Sequence, residues 1–379
     1  MRIPFNRPHA SGRELTYIQE AIDRSYLSGN GPFTARCEQW LQGHLDVPRV
    51  LLTHSCTAAL EMAALLADVG PGDEVIMPSY TFVSTANAFV LRGATPVFVD
   101  VRPDTQNLDA ALIEAAITPR TKVIVPVHYA GVGCDMEMIG AIARRHDLVV
   151  IEDAAQALMA SYQDRPLGTF GHMAAFSFHE TKNVVSGEGG ALVLNDPRLV
   201  QRAEILREKG TNRSQFIRGQ VDKYTWVDVG SSYIPSDILA AFLFAQLEEA
   251  QAITDRRLEL WERYHEAMAP FEAAGLLRRP VIPADCRHNA HMYYVVLADA
   301  ALRNRLLDRM VGLGIGAVFH YVPLHSSPAG LRYARAAGEL PHTVAAGERL
   351  LRLPLWLALG AHQDEIIAEF SKALAEAAV

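Results

Sequence analysis

Short apolar runs separated by helical stretches are the feature that most limits the fold of this chain. The runs cover residues 49–53, 74–77, 96–100, 122–127 and 148–151, and stretches typical of helices lie between them at residues 57–66, 84–91, 109–117 and 136–146. Polar and apolar residues do not alternate within the runs, so both faces of each strand should be buried, as in a parallel sheet covered by helices. The first half of the chain therefore predicts an α/β fold with a large, mostly parallel sheet.

The pattern changes beyond residue 170. Two strand-like runs lie close together at residues 174–178 and 190–194, followed by helical residues 199–209 and a long helical stretch at 236–271. After Pro280 and Pro283, a smaller α/β portion is predicted from a strand at 292–297, a helix at 301–313, a strand at 316–320 and a final helix from residue 364. We therefore expect a large domain over residues 1–250, then a long linking helix and a small C-terminal domain over 251–379. Within this division, the N-terminal segment can pack on the small domain.

Composition and charge exclude several classes of protein. Half of the 379 residues are hydrophobic, which is too large a fraction for a disordered chain. The net charge of −8 argues against a nucleic-acid-binding protein. The four cysteines lie far apart with no CxxC pair, no apolar run is long enough for a membrane helix, and the N-terminus lacks the apolar core of a signal peptide. We expect a cytoplasmic protein with no metal site and no membrane or nucleic-acid partner.

Residues that follow the predicted strands are the first candidates for a site, since ligands of open α/β sheets bind at the carboxyl ends of the strands. Thr57 and Ala58 follow the first strand and begin a helix, whose free N–H groups can hold a phosphate. The alternative is ordinary N-capping of this helix by Ser55 or Thr57. Neither GxGxxG nor GxxxxGK[ST] occurs, so the usual dinucleotide and P-loop motifs are absent.

A carboxylate and a lysine follow two further strands. Glu152 and Asp153 come after the run at 148–151, and because neighbouring strand residues point in opposite directions, only one of them should face a given ligand. Lys182 lies 29 residues after Asp153, in a segment that ends in glycines. A lysine for a Schiff base, a carboxylate for a ring nitrogen and a phosphate cradle are what pyridoxal phosphate requires.

Seven short motifs in this order resemble one known family. They are GNGPFT at 29–34, GPGDEV at 70–75, PSYTF at 78–82, GATPVFVD at 93–100, VHYAG at 127–131, EDAAQ at 152–156 and GEGG at 187–190. The chain resembles the DegT/DnrJ/EryC1/StrS sugar-nucleotide aminotransferases from end to end. The resemblance implies pyridoxal phosphate as cofactor and fold type I, the fold of aspartate aminotransferase.

The resemblance also implies roles for individual residues. Lys182 corresponds to the lysine that forms the Schiff base and shuttles the proton. Asp153 corresponds to the partner of the pyridine nitrogen, and Gln156 to a neighbour of the ring's 3-oxygen. Phe82 corresponds to the aromatic residue stacked on the ring, its alternative being a core phenylalanine. The implied phosphate cradle consists of Thr57, the backbone amide of Ala58, and Ser177.

One position departs from the family pattern. The family usually has an asparagine, contributed to the phosphate site by the neighbouring subunit, where this chain has Ser232. A hydroxyl has one donor where the amide has two, so Ser232 can keep part of this role. The resemblance then implies a homodimer with shared active sites.

Three segments, at residues 177–190, 210–216 and 320–330, resemble family members that convert dTDP-4-oxo-6-deoxyglucose to dTDP-4-amino-4,6-dideoxygalactose for surface polysaccharides such as enterobacterial common antigen or O-antigen. The implied amino donor is L-glutamate. The implied substrate contacts are Asn30, His320 and His325, with His325 favoured. For Arg207 and Arg213, a surface salt bridge is favoured over binding the glutamate carboxylate.

Four alternatives remain at this point. The first two are amination of a different 3- or 4-oxo nucleotide sugar, and pyridoxal-phosphate-dependent dehydration, whose enzymes have histidine in place of the lysine. The others are a non-catalytic pyridoxal phosphate protein, and a nicotinamide dehydrogenase, which the missing glycine motif disfavours. Retention of Lys182 favours transamination.

Overall fold

A large sheet of eight strands forms the centre of the computed structural model, which describes residues 2–377. The strands of the chain are β1 (Arg49–Thr53), β2 (Glu74–Pro78), β3 (Thr95–Val99), β4 (Thr121–Ile124), β5 (Val149–Asp153), β6 (Ser161–Tyr162), β7 (Arg165–Pro166), β8 (Met173–Ser177), β9 (Gly190–Leu194), β10 (Leu277–Arg278), β11 (Cys286–Arg287), β12 (Tyr293–Leu297), β13 (Arg335–Ala336) and β14 (Leu350–Leu353). The large sheet has the order β1-β9-β8-β5-β4-β2-β3-β13, and in it β9 pairs antiparallel with both of its neighbours while the other pairs are parallel. The predicted α/β class with a mostly parallel sheet is confirmed.

The helices flank this sheet and build the C-terminal unit. They are α1 (Glu14–Asp23), α2 (Pro32–Leu45), α3 (Cys56–Leu66), α4 (Val83–Val90), α5 (Ile113–Ala116), α6 (Met136–His146), α7 (Val200–Arg207), α8 (Arg213–Ile217), α9 (Asp237–Glu248), α10 (Ala250–Ala273), α11 (Ala300–Gly312), α12 (Pro328–Tyr333), α13 (Pro341–Arg349) and α14 (His362–Ala377). Short 3-10 turns lie at Ala110–Leu112, Tyr129–Gly131, Pro197–Leu199 and Leu324–Ser326.

Three predicted elements differ from those observed. The long helical stretch is two helices, because Glu249 leaves α-helical geometry with φ −101° and ψ 6°. The strand predicted to reach residue 127 ends at Ile124, and Pro126 has no N–H for the ladder. Residues 316–320 form no strand. That part of the chain pairs through isolated bridges, one with Ile3 and one with Arg352.

Both faces of the large sheet are buried, as the continuous apolar runs predict. In β1, Val50 and Leu52 point into one hydrophobic core, which includes residues of α2, α6 and α9. Leu51, between them, points into a second core, which includes residues of α3, α4 and α7. This placement holds the carboxyl ends of the strands at one edge, between two layers of helices.

A smaller unit packs beside the large sheet. Its antiparallel sheet has the order β10-β12-β14, and its core includes residues of α10, α11 and α14. Helix α10 joins the two units, since Ala250 lies in the core of the large sheet and Leu260 in the small core. Ile3 is fully buried in the small core, so the N-terminal segment packs on this unit.

Two further observations concern membrane-spanning helices and the state of the cysteines. Within residues 2–377, no helix combines the length and the apolar character that a membrane crossing requires. The four cysteines are free thiols, and three of them are buried.

Candidate active site

The sheet register brings the predicted site residues to one edge. Gly190 pairs with Thr53 of β1 on one side and with Ser177 of β8 on the other. Asp153 ends β5, which is the next strand beyond β8. The helix start after β1, Ser177 and Asp153 therefore follow one another along the carboxyl end of the sheet.

The first turn of α3 lies against this edge. The Ser55 hydroxyl accepts a hydrogen bond from the Ala58 N–H at 3.1 Å, so the N-capping alternative is realised by Ser55, and the Ala58 amide already has a partner. The Thr57 hydroxyl instead donates to Ser84 Oγ at 2.8 Å, a hydroxyl on α4 that the sequence motifs did not indicate. Gly190 packs so closely that a Cβ there would lie 2.4 Å from the Cys56 nitrogen. The remaining free N–H groups of the helix start and these hydroxyls form a compact set of donors.

Lys182 is partly buried in the loop after β8. Its backbone N–H donates to the His179 carbonyl at 2.9 Å. Burial lowers the pKa of the Lys182 amine below its ordinary value, and the positive charge of Arg352 lowers it further, whereas Cys56 and Asp153 act in the opposite direction. The surroundings therefore favour a neutral amine, which is the form that acts as nucleophile and base.

Asp153 is held by an oriented chain of hydroxyls. Thr85 Oγ1 donates to Asp153 Oδ2 at 2.7 Å, and because an ionised carboxylate only accepts, the neighbouring Thr81 must donate to Thr85, 2.8 Å away. The Ala155 N–H also donates to Asp153, at 3.2 Å. Thr81 and Thr85 are both buried, so this carboxylate is fixed in direction.

Glu152 points to the opposite side of β5, as the alternation of strand residues predicts. It accepts hydrogen bonds from three backbone N–H groups, those of Gly168, Phe170 and Gly171. His128 contacts it through Nε2 at 2.9 Å, and since Nδ1 of this ring accepts from the Cys134 N–H, Nε2 carries the proton and donates. Glu152 is a structural carboxylate, and Asp153 alone of the two faces the site.

Gln156 and Phe82 flank the same cleft. Gln156 Oε1 accepts from the Ala130 N–H at 2.7 Å, and its Nε2 donates to the Tyr321 hydroxyl at 3.2 Å. Phe82 is 58% exposed at the start of α4, with its ring centre 6.4 Å from that of Tyr321. The alternative of a core phenylalanine is wrong, because this ring is open on one side.

The two candidate histidines lie in different surroundings. His320 Nδ1 lies 3.0 Å from the Tyr129 hydroxyl, and burial together with the charges of Arg352 and Lys182 lowers its pKa well below the ordinary value. His325 is held by Ser79, which accepts from its backbone N–H at 3.0 Å and lies 2.8 Å from its Nδ1. Its pKa is lowered by burial and raised by Asp100. His320 therefore lies against Tyr129 and His325 against Ser79, and contact of either histidine with the substrate stays a prediction.

Asn30 is engaged within the protein. Its Oδ1 accepts from Arg207 at 2.8 Å, and its Nδ2 donates to Glu208. Arg207 is buried and pairs with Glu38 at 2.5 Å, so the expectation of a surface salt bridge is wrong for this residue, since α7 packs it under the sheet edge. Arg213 does form a partly exposed pair with Glu208, at 3.8 Å. Arg207 is therefore paired within the protein, and contact of Asn30 with the substrate stays a prediction.

Ser232 lies on the surface, where its backbone forms a bridge with Glu208. The segment before it carries large exposed apolar side chains, with Tyr224 53% and Trp226 78% exposed. Such a patch is typical of a surface that another protein covers. The role of Ser232 in a shared site stays a prediction.

Arg352 is the residue of this region that the motifs missed. It lies on β14 of the small unit, its backbone bridges to Val318, its guanidinium carbon lies 4.7 Å from the ring centre of Phe5, and burial lowers the pKa of the guanidinium below its ordinary value. In sequence it belongs to a Leu-Arg-Leu alternation, which is typical of a half-exposed strand and gives no sign of a site.

The donor set defines what can bind. A partly buried amine with a lowered pKa, an oriented carboxylate and a cluster of hydroxyl and N–H donors match the aldehyde, the ring nitrogen and the phosphate of pyridoxal phosphate. In the part of the chain that the structure describes, no three His, Cys, Asp or Glu side chains come together as metal ligands.

Comparison with known proteins identifies a matching family and similar relatives. The model of the DegT/DnrJ/EryC1/StrS aminotransferase family matches residues 8–371. The GDP-perosamine synthase of Caulobacter vibrioides is 36% identical over 379 residues, which cover 98% of each chain. The spore coat polysaccharide biosynthesis protein SpsC of Bacillus subtilis is 33% identical, over 93% of this chain and 92% of its own.

Solved structures of similar proteins superpose over the whole chain. The aminotransferase TlmJ of Streptoalloteichus hindustanus has a TM-score of 0.91 at 33% identity, with both chains fully covered. A sugar aminotransferase, Spr1654 of Streptococcus pneumoniae, in its PMP form, has a TM-score of 0.91 at 28% identity and covers 99% of this chain and 100% of its own.

Proposed function

The chain belongs to the DegT/DnrJ/EryC1/StrS aminotransferase family, whose members depend on pyridoxal phosphate, and we propose that it transfers the amino group of L-glutamate to the oxo carbon of a nucleotide-linked sugar. The observation that carries this proposal is the presence, at one edge of the sheet, of both Lys182, a partly buried amine with a lowered pKa, and the oriented carboxylate of Asp153. Neither a dehydrogenase nor a lysine-free dehydratase would need this pair.

The residues fit the cofactor. Lys182 would hold its aldehyde carbon, Asp153 its ring nitrogen and Phe82 one face of its ring. Thr57, Ser177 and the free amides at the start of α3 would hold its phosphate. Bound there, the cofactor supplies a carbonyl that takes up and gives back an amino group, and a ring that withdraws electrons from the substrate carbon.

The chain's own groups then have distinct tasks. The Lys182 amine removes a proton from the donor carbon and returns a proton to the sugar carbon. Asp153 would face the ring nitrogen, and the Thr81–Thr85 chain of hydroxyls holds that carboxylate in one direction. Tyr321 and Gln156 orient each other through a hydrogen bond of 3.2 Å, and Gln156 would lie beside the ring's 3-oxygen.

For the substrate, the proposal is dTDP-4-oxo-6-deoxyglucose, converted to dTDP-4-amino-4,6-dideoxygalactose for a cell-surface polysaccharide. The resemblance of the segments at 177–190, 210–216 and 320–330 supports this choice. A GDP-linked sugar is the second candidate, favoured by the 36% identity to GDP-perosamine synthase. Either substrate carries a pyrophosphate, which must be bound by local N–H and cationic groups, because the net charge of the chain is −8.

The assembly and location proposed with this function are a homodimer in the cytoplasm, with Ser232 of the partner subunit completing the phosphate site. The exposed apolar segment around Trp226 supports a covered surface of this kind. Sedimentation of the wild-type protein tests it. A strictly monomeric protein with full activity would contradict the shared site.

The substrate test compares the two candidate sugar nucleotides directly. Purified holoenzyme is incubated with L-glutamate and either dTDP-4-oxo-6-deoxyglucose or a GDP-linked 4-oxo-6-deoxy sugar, and release of 2-oxoglutarate and of the amino sugar nucleotide is measured. We expect turnover with the dTDP sugar and none with Lys182→Ala. Turnover with the GDP sugar alone overturns the nucleotide assignment, and release of 2-oxoglutarate with neither sugar overturns the function.

A further inference from the structure

A cavity of about 300 Å³ lies at the junction of the two units. The large unit contributes the turn with Pro103 and Gln106 after β3, and the small unit contributes β10, β12 and α13. Two arginines, Arg278 and Arg349, line it together with the side chain of His342, and none of its described lining residues is acidic. The cavity is therefore a cationic space, and its described lining includes no residue of the candidate active site.

The strand register turns Arg278 toward the large unit. Arg278 of the edge strand β10 lies opposite Val296 of β12, which in turn lies opposite Leu350 of β14. Directly opposed residues of antiparallel strands lie on the same face of a sheet. Leu350 is fully buried in a hydrophobic cluster with Tyr129 of the large unit. The face of the small sheet that carries Arg278 is therefore the face packed on the large unit.

Arg278 lacks the acidic partner that its neighbour in sequence has. Arg279 pairs with Glu272 at 2.6 Å. The Nε of Arg278 is shielded from solvent and has no acceptor, and in the part of the chain that the structure describes neither Arg278 nor Arg349 forms an ion pair. A shielded donor of a charged group without an acceptor is unfavourable unless a ligand supplies one.

One acidic residue, Asp104, lies in the same region. Burial raises the pKa of Tyr294, the charge of Arg278 lowers it, and the charge of Asp104 raises it further, so both charges lie near this ring. Asp104 is itself paired with Arg102 at 2.6 Å. This carboxylate is already engaged and does not compensate the arginines of the cavity.

The remaining wall of the cavity is mainly apolar, with Leu277 and Val296 on one side and Ala345 and Ala346 of α13 on the other. Since a water molecule takes up roughly 30 Å³, the cavity has room for an anion joined to a small organic group. Planar guanidinium groups bind phosphate through two parallel hydrogen bonds. A phosphate monoester would place its dianion at the arginines and its organic group against the apolar wall.

Helix α13 connects the cavity with the rest of the junction. Asp100, directly after β3, accepts hydrogen bonds from the His342 and Thr343 N–H groups at 3.1 and 2.8 Å. At its other end, α13 stops at Arg349 and leads directly into β14. Ala346 packs in the buried cluster that both units share. A ligand beside α13 therefore touches the helix that fastens the small unit to the large sheet.

We propose that this cavity is a binding site for a small phosphate monoester, separate from the candidate active site and in contact with both units. Arg278 and Arg349 would hold the phosphate, and the turn at Pro103 and Gln106 would close over the ligand from the large unit. The inference does not depend on the proposed aminotransferase function, because it rests on residues that this function does not use.

The test uses phenyl phosphate, whose binding to the holoenzyme is measured by calorimetry for the wild type, two variants and two controls. Arg278→Gln removes the charge, and Ala298→Glu places a carboxylate at an exposed position of the lining. The controls make the same changes at exposed positions outside the lining, Arg144→Gln on α6 and Ala301→Glu on α11. We expect Arg278→Gln to weaken binding roughly 10- to 150-fold, as for a hydrogen bond to a charged group. Ala298→Glu should weaken binding as well, and neither control should change it.

Inorganic phosphate and phenol separate the two parts of the ligand. Phenyl phosphate should bind the wild type more tightly than either. Inorganic phosphate that binds as tightly as phenyl phosphate overturns the monoester assignment, and phenol that does so overturns the role of the arginines. Hydrogen exchange should slow at residues 103–106 and in α13 when phenyl phosphate binds, and slowing confined to other segments overturns the location.

The remaining outcomes are also decisive. A wild type that binds no phenyl phosphate, or unchanged binding in Arg278→Gln, overturns the inference. Displacement of phenyl phosphate by dTDP places it in the candidate active site and overturns it too. Retained cofactor absorbance is the check on folding, and if Arg278→Gln loses this absorbance, the comparison of Ala298→Glu with Ala301→Glu decides.

Discussion

Replacing Gly190 by alanine tests whether the start of α3 is the phosphate cradle. A Cβ at this position would lie 2.4 Å from both the Cys56 nitrogen and the Ser55 carbonyl carbon, where an ordinary contact needs at least 3.4 Å. The atoms in the way are backbone, which no side-chain rotation can relieve, so the first turn of α3 must move by about 1 Å relative to β9. Such a displacement removes the alignment of at least one donor to a phosphate. A hydrogen bond to a charged group contributes about 1.5–3 kcal/mol, which is roughly 10- to 150-fold in affinity.

The assay is titration of the cofactor-free protein with pyridoxal phosphate, followed by absorbance, and a parallel titration with pyridoxal, which lacks the phosphate. We expect Gly190→Ala to weaken binding of pyridoxal phosphate by the factor above and to leave binding of pyridoxal nearly unchanged. Gly43→Ala is the matched control, because Gly43 lies exposed within α2 with no atom within 4 Å of the added Cβ, and the substitution should stabilise the helix slightly. Equal weakening for both ligands, or wild-type affinity for pyridoxal phosphate, would refute the assignment of this helix start to the phosphate.

Four further changes probe the rest of the site. Asp153→Asn should keep the cofactor bound and lose most of the turnover rate; near-normal turnover would contradict its place at the ring nitrogen. Thr85→Val should lower the stability of the cofactor-free protein by about 1.5–3 kcal/mol, because the buried carboxylate loses its hydroxyl donor, and the loss should shrink when the cofactor is bound, as thermal unfolding can show. The pKa of Lys182 is lowered in the folded protein, so the unfolded chain binds the proton more tightly. Lys182→Met should therefore stabilise the cofactor-free protein fully at pH values below the lowered pKa, and urea unfolding at several pH values should show the gain vanishing as the pH rises through the ordinary value of 10.5. Glu152→Gln should cost about 1–3 kcal/mol of unfolding free energy, since it turns an amide donor toward N–H donors, and urea unfolding would show no such cost if Glu152 were dispensable.

The sheet-side half of the site could be predicted because it follows from local rules. Continuous apolar runs locate the strands, the residue after each run lies at the carboxyl edge, and the alternation of strand residues separates Asp153 from Glu152. Ser84 and Thr85 could not be singled out from the sequence, because α4 offers several hydroxyl groups. Only the position of α4 in the fold decides that Ser84 meets Thr57 and that Thr85 meets the Asp153 carboxylate. The strand predicted at residues 316–320 is wrong for a similar reason, since this part of the chain makes only isolated bridges to residues distant in sequence, from Ile315 to Ile3 and from Val318 to Arg352.

The other half of the site comes from segments that are distant in sequence, and this explains how relatives can share a reaction and differ in substrate. Arg352 meets Phe5 and Val318 only because β14, the N-terminal segment and the chain before residue 320 converge. The residues that would hold the cofactor lie in short motifs after strands of one sheet, where a change disturbs the chemistry itself. The contacts around His320 lie on a loop of the small unit, where a change alters what is bound and leaves the amine and the carboxylate in place. An identity of 36% to a GDP-perosamine synthase is therefore good evidence for transamination and weak evidence for which nucleotide the sugar carries. Exchanging the loop at 320–326 between the two proteins should alter the preference for the nucleotide sugar more than the reaction with L-glutamate.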